Sequence, residues 1–73
     1  LTRKEFDLLA FLMGSPDRIF SRAEILTAVW AEDVYVIDRT IDVNINRLRK
    51  KLGRYGRHIE TKLGYGYGFT TNH

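Results

Sequence analysis

The sequence contains no cysteine and a single proline. Without cysteine there is no disulfide and no thiolate to act as ligand or nucleophile, which fits a reducing compartment. No apolar run approaches membrane-spanning length, and no signal peptide is visible. No glycine-rich phosphate loop stands at a strand–helix junction, and no His, Asp and Glu residues follow the spacing of a metal site. The two histidines, His58 and His73, are isolated; His58 follows Arg57 in a loop and reads as a surface residue. Glu32 and Asp33 read as a solvated acidic loop. These absences point away from an enzyme and imply neither a cofactor nor a metal.

What is present fits one small folded domain. Seventy-three residues, 44% hydrophobic and 29% charged, suffice for a modest core and are too apolar for a disordered tail. The expected domain is 1–73. The chain begins at Leu1 with a helix signal, so it reads as a piece of a longer protein. Its net charge of +3 is unevenly distributed. Residues 1–38 hold four basic and seven acidic side chains, whereas residues 39–73 hold eight basic and two acidic ones. A basic half joined to an acidic half points to a polyanion-binding surface at one end.

Thr2-Arg3-Lys4-Glu5 is a capping box, in which a hydroxyl and a carboxylate each satisfy a free backbone N–H at a helix start. Phe6, Leu9, Leu12 and Met13 then recur at helical spacing, with Leu8 and Ala10 widening the face, and the helix should stop near Gly14. Ser15-Pro16-Asp17 is a turn, and Ile19-Phe20 a short apolar pair. Ser21-Arg22-Ala23-Glu24 is a second capping box; Ala23, Leu26, Val29 and Trp30 make the expected inner face of the helix it opens, with Ile25 beside them. Residues 31–38 read as a loop, with Val34–Ile37 as an alternative extended run.

A third helix follows, with Asp38 as its expected N-cap. Ile41, Ile45, Leu48 and Leu52 form one buried stripe, and Gly53 closes the helix. Asp42, Val43, Asn46, Arg47 and Lys50 lie opposite, flanked by Arg39, Asn44, Arg49 and Lys51. After Gly53–Arg57, Ile59–Leu63 alternates like a strand. Gly64-Tyr65-Gly66 supplies a turn, and Tyr67–Thr70 a second strand. The fold class is therefore mainly α with a small β-hairpin: a winged helix-turn-helix of three helices and a C-terminal wing.

The third helix has what a DNA major groove demands: an apolar back, an outward polar row and flanking cations for phosphates. Its N-terminal N–H groups and positive dipole end also suit a phosphate. Arg47 is the candidate for guanine, since a guanidinium meets O6 and N7 together. Asn46 or Asn44 is the candidate for adenine. Val43 either touches a thymine methyl or widens the core stripe. Asp42 either reads a base or pairs with Arg39 or Asn46 on the same face. Lys50, Lys51 and Arg49 are generic phosphate contacts or solvated charges.

The stretches 1–9, 15–26, Val29-Trp30, Asp38–Leu52 and Ile59–Phe69 carry a resemblance. Above all, the run Arg-Thr-Ile-Asp-Val through Arg-Leu-Arg-Lys-Lys-Leu and the Gly-Tyr-Gly-Tyr wing resemble the winged-helix effector domain of OmpR/PhoB-type two-component response regulators. The resemblance implies sequence-specific double-stranded DNA binding at tandem half-sites, a second copy of the protein on the DNA, and a cytoplasmic bacterial transcription regulator. It also implies an upstream receiver domain phosphorylated by a sensor kinase, and a small sheet before the first helix; neither is in this sequence.

Base contacts then fall to Asp42, Val43, Asn46 and Arg47. Phosphate contacts fall to Trp30, Arg39, Thr40, Asn44, Arg49, Lys50 and Thr61. The wing positions are Lys62, Leu63 and Tyr65, and the loop 31–38 matches one that contacts RNA polymerase. Two positions depart from the pattern. Leu63, with Lys62 before it, stands where the family commonly has a minor-groove arginine, and Gly68 stands where Arg or Lys is frequent. Both changes remove charge from the wing, so the recognition helix 39–52 is expected to carry more of the binding than the wing 59–70. The competing reading is a winged-helix protein–protein interaction module, for which a less charged third-helix face is expected.

Overall fold

Thr2 and Ser21 both act as sequence-encoded helix starts. In a computed structural model that describes residues 1–33 and 36–71, each hydroxyl accepts from the backbone N–H three residues on, and Glu5 and Glu24 reach back to the cap N–H. These boxes open α1 (Arg3–Met13) and α2 (Arg22–Val29). A longer α3 spans Asp38–Leu52, and a 3-10 segment, Gly53–His58, leads into the wing. The helix start at α3 differs from expectation: Ile37 is the N-cap, with no side-chain cap, and Asp38 is the first helical residue. There its carboxylate still faces the positive end of the helix.

The sheet has one strand more than the expected hairpin. β1 (Ile19–Phe20), β2 (Ile59–Lys62) and β3 (Gly66–Phe69) form an antiparallel sheet in the order β1-β3-β2. Ile19 pairs with Gly68 and Phe20 with Tyr67, so the apolar pair after the first turn anchors the wing strand from its other side. The backbones approach closely: a Cβ on Gly66 would stand 1.9 Å from the Phe20 carbonyl oxygen, and one on Gly68 would stand 2.3 Å from that of Arg18. The possible extended run at Val34–Ile37 falls partly on Val34 and Tyr35, which lie outside the described residues, as does His73.

One core joins all the elements. It contains Leu8, Leu12, Phe20, Ile25, Val29, Trp30, Ile41, Ile45, Leu48, Ile59 and Tyr67. The α3 stripe is as expected, with Leu52 half-buried at its end. The inner faces of the other two helices match expectation in part, with Leu12, Val29 and Trp30 buried. In α1, Leu8 and Leu12 face inward while Phe6 and Met13 are exposed. In α2, Ile25 and Val29 form the buried i, i+4 pair, Leu26 is half-buried and Ala23 is exposed. Alanine loses little by facing water, so its apolar character was a poor guide to direction. His58 is less exposed than expected. It is half-buried, donates from Nδ1 to the Thr70 carbonyl at 2.7 Å, and stacks on Phe69.

Glu5 has a second task besides capping. It is 1% exposed, and one oxygen accepts from the Thr2 N–H and the Lys51 ammonium, each at 2.7 Å. The carboxylate thus pins the start of α1 to the end of α3. The Lys51 hydrogen bond, with help from Thr2, lowers its pKa from 4.5 to about 2. A depressed folded-state pKa gives stability that is complete above the unfolded value and is lost as pH falls through the folded one. Glu5→Gln should therefore flatten the decline of Tm between pH 4.5 and about 2 relative to the parent chain, as followed by circular dichroism.

Candidate nucleic-acid interface

At roughly 100° per residue, α3 divides into an inner stripe, an outer stripe and two flanks. Burial of Ile41, Ile45 and Leu48 turns Arg39, Val43, Asn46, Arg47 and Lys50 outward together. Val43 is 36% exposed, so it belongs to this face rather than to the core. Among the described residues, Arg39, Asn46, Arg47 and Lys50 make no side-chain hydrogen bond or ion pair. Ile37, Arg39, Thr40, Val43, Asn44 and Arg47 line a shallow open groove along this side.

Other basic side chains are engaged within the fold. Lys4 donates to the Val29 carbonyl at 2.8 Å and Lys51 to Glu5. Arg18 pairs with Glu24 at 3.3 Å and Arg22 with Asp42 at 3.0 Å. Among the described residues, Arg39, Arg47 and Lys50 on one helix face are thus left for an external partner, as are Arg57 beyond the helix and Lys62 on the wing.

The flanks behave differently. Asn44 turns back to donate to the Thr40 carbonyl at 2.8 Å, and Thr40 is half-buried. Arg49 grips the wing: Nη2 donates to the Ile59 carbonyl at 2.7 Å and to the Thr61 hydroxyl, and Nε donates to the same carbonyl at 3.2 Å. Two residues expected to hold phosphate therefore hold each other. Trp30 is 6% exposed, packed in the core with the Lys4 ammonium 5.7 Å from its ring, and offers little surface to a ligand.

Asp42 also departs from expectation. It pairs with neither Arg39 nor Asn46, but accepts from Arg22 Nε at 3.0 Å and from the Tyr67 hydroxyl, both reached across the fold. Arg22 and Tyr67 were missed in the sequence, where one reads as part of a capping box and the other as an alternating strand residue. A usable signal was that Asp42 and Arg49, seven residues apart, share the flank facing the sheet.

The wing tip is a three-residue turn, with Tyr65 N–H donating to the Lys62 carbonyl at 2.9 Å. Leu63 is 89% exposed and Tyr65 69%. The Lys62 ammonium lies 5.4 Å from the Tyr65 ring, so its charge is held at the wing tip. Between the wing and the start of α2 runs a second groove, lined in part by Ser21, Arg22, Thr61, Lys62 and Tyr65. No described helix is long and apolar enough to cross a membrane.

This arrangement, an exposed cationic helix beside a three-stranded wing, agrees with comparison to known proteins. The family described as "Transcriptional regulatory protein, C terminal" matches residues 1–69. The chain belongs to this family. It is a family of transcription-regulator domains, not of enzymes. The chain is 51% identical over 69 residues to the phosphate regulon transcriptional regulatory protein PhoB of Escherichia coli K12, covering 92% of this chain and 30% of that protein. It therefore spans about a third of the length of such curated relatives. The solved DNA-binding domain of Bacillus subtilis CssR is similar, with a TM-score of 0.83 and 39% identity over 94% of this chain and 76% of that one. So is the Klebsiella pneumoniae RstA DNA-binding domain, solved in complex with the RstA box, with a TM-score of 0.80 and 33% identity over 96% of this chain and 72% of that one. The fold is accordingly that of the winged-helix domains of response regulators.

The two kinds of α3 cation should separate in a stability measurement. Arg49→Ala removes charge-assisted hydrogen bonds to β2 and should lower the unfolding free energy by about 1–3 kcal/mol. Lys50→Ala, one residue on, should change it by no more than about 0.5 kcal/mol. Urea denaturation of the two variants checks this.

Proposed function

We propose that residues 1–73 form a sequence-reading double-stranded DNA-binding domain, the effector unit of a two-component response regulator that controls transcription. The observation that carries this reading is the outward face of α3, where Arg39, Arg47 and Lys50 have no partner among the described residues and flank Val43 and Asn46. A cationic face left open along a whole helix suits the major groove, whose width admits one helix and whose edges are lined by phosphates. Arg47 reads guanine, Asn46 reads adenine and Val43 meets a thymine methyl. Arg39, Thr40 and Lys50 meet phosphate, with Asn44 beside them. The wing residues Lys62, Leu63 and Tyr65 lie against the adjacent backbone or minor groove.

The CssR and RstA domains support the DNA reading, and PhoB supports a role in transcription. By the same likeness, the whole protein is a cytoplasmic regulator that pairs with a second copy on tandem half-sites. An upstream receiver domain and a sensor kinase complete the system, and the loop 31–38 is its candidate contact for RNA polymerase. A protein-interaction role is disfavoured, because an interface of that kind is depleted of charge at its centre.

Selection from random duplex DNA at two salt concentrations tests the proposal. The expected product is a direct repeat with half-sites about one helical turn apart. Arg47→Ala should cost roughly 1–3 kcal/mol and relax preference at one base pair. Arg39→Ala or Lys50→Ala should weaken all sequences alike and flatten the salt dependence by about one unit. Lys62→Ala should cost less than Arg47→Ala; the reverse order would transfer the leading role to the wing. Absence of binding by folded protein at low salt would sink the DNA reading.

A further inference from the structure

Asp42 belongs to α3 but not to its outer stripe. Its Oδ1 accepts two hydrogen bonds, from Nε of Arg22 and from the hydroxyl of Tyr67. Arg22 is the first residue of α2. Tyr67 lies in β3, the central strand, and is paired with Thr61 on β2. One carboxylate oxygen therefore joins the third helix, the second helix and the wing.

Tyr67 is buried, and burial, followed by its bond to Asp42, raises the pKa of its hydroxyl. The hydroxyl thus keeps its proton and remains a donor. Seven residues along the same flank, Arg49 ties α3 to β2 through the Ile59 carbonyl and Thr61. The shared core holds the sheet against the helix, and two polar attachments along one flank refine the angle between them.

We propose that Asp42 is a positioning residue for DNA recognition: it fixes the wing relative to the third helix so that both meet the duplex in one geometry, and it reads no base itself. This rests on the reading of α3 as the helix that enters the groove. The Arg22–Asp42 pair is partly open to water, with side chains 47% and 33% exposed, so its attraction is screened and its contribution to stability is small. Its main effect is on orientation. A carboxylate holding both an arginine and a tyrosine also has less capacity left to accept from a cytosine amino group.

The test compares Asp42→Ala, Asp42→Asn, Tyr67→Phe and the Asp42→Ala/Tyr67→Phe double variant on the duplex selected by the parent chain. Binding is measured well below each variant's Tm, with folding verified by circular dichroism. Asp42→Ala and Tyr67→Phe should each weaken binding roughly 3- to 30-fold. They should do so equally for all sequences, leaving the base preference intact. The double variant should be little worse than the poorer single one, because both remove the same link. Asp42→Asn, which retains an acceptor oxygen, should recover part of the loss. Hydroxyl-radical footprints should lose protection of the sugars on the wing side, while protection of guanine N7 from methylation in the major groove persists.

A changed preference at one base pair in Asp42→Ala, with Tyr67→Phe neutral, would make Asp42 a base reader and overturn the proposal. Unchanged binding by folded Asp42→Ala and Tyr67→Phe would reduce the link to a stability contact and overturn it equally. If the parent chain selected no duplex, the DNA reading itself would fail, and this inference with it.

Discussion

The surface of this domain depends on the rotational setting of α3, which the core determines. Ile41, Ile45 and Leu48 are completely buried and come from one stripe. Burying each such side chain is worth roughly 1.5–3 kcal/mol. Turning the helix by even a quarter would expose part of that stripe and drive Arg47 or Lys50 against apolar neighbours, where an unpaired charge is costly. Packing and electrostatics thus select the same orientation. The apolar residues therefore decide which polar residues the domain can offer to a partner.

Neighbouring residues on this helix have different roles for the same geometric reason. Lys50 and Lys51 are adjacent and chemically identical, yet Lys50 faces solvent while Lys51 bonds to the buried Glu5. Arg47 and Arg49 differ likewise, one open and the other tied to the wing. A step of one residue carries a side chain about 100° around the axis. Counting basic residues overstates the charge available for binding; the charge left unpartnered inside the fold is the relevant quantity.

Local signals were the most legible in the sequence. Both capping boxes, the apolar stripe of α3, its stop at Gly53 and the glycine-flanked turn of the wing all act over five residues or fewer, or repeat with the helix period. β1 was not legible as a strand because two residues are too few to display alternation. The inward faces of α1 and α2 were misjudged where apolar residues outnumber the places in the core, as at Phe6, Met13 and Ala23. Within the candidate site, the outward stripe followed from helical spacing alone. The partners of Asp42 did not, since Arg22 and Tyr67 are 20 and 25 residues away and meet it only once α2 and the wing have packed against α3. His58 was misread for a similar reason, because its partner Thr70 lies beyond the hairpin.

The near-contact of Gly66 with the β1 backbone limits how this domain can diversify. A library aimed at new binding preferences can vary the outer stripe of α3 and the tip between Lys62 and Tyr65, where side chains project into open space. The same library extended to Gly66 would fill with unfolded members, because a side chain there would need a strained φ and would collide with the Phe20 carbonyl. The evolvable surface of the wing is thus its tip, and the strand behind it is closed to change at Gly66.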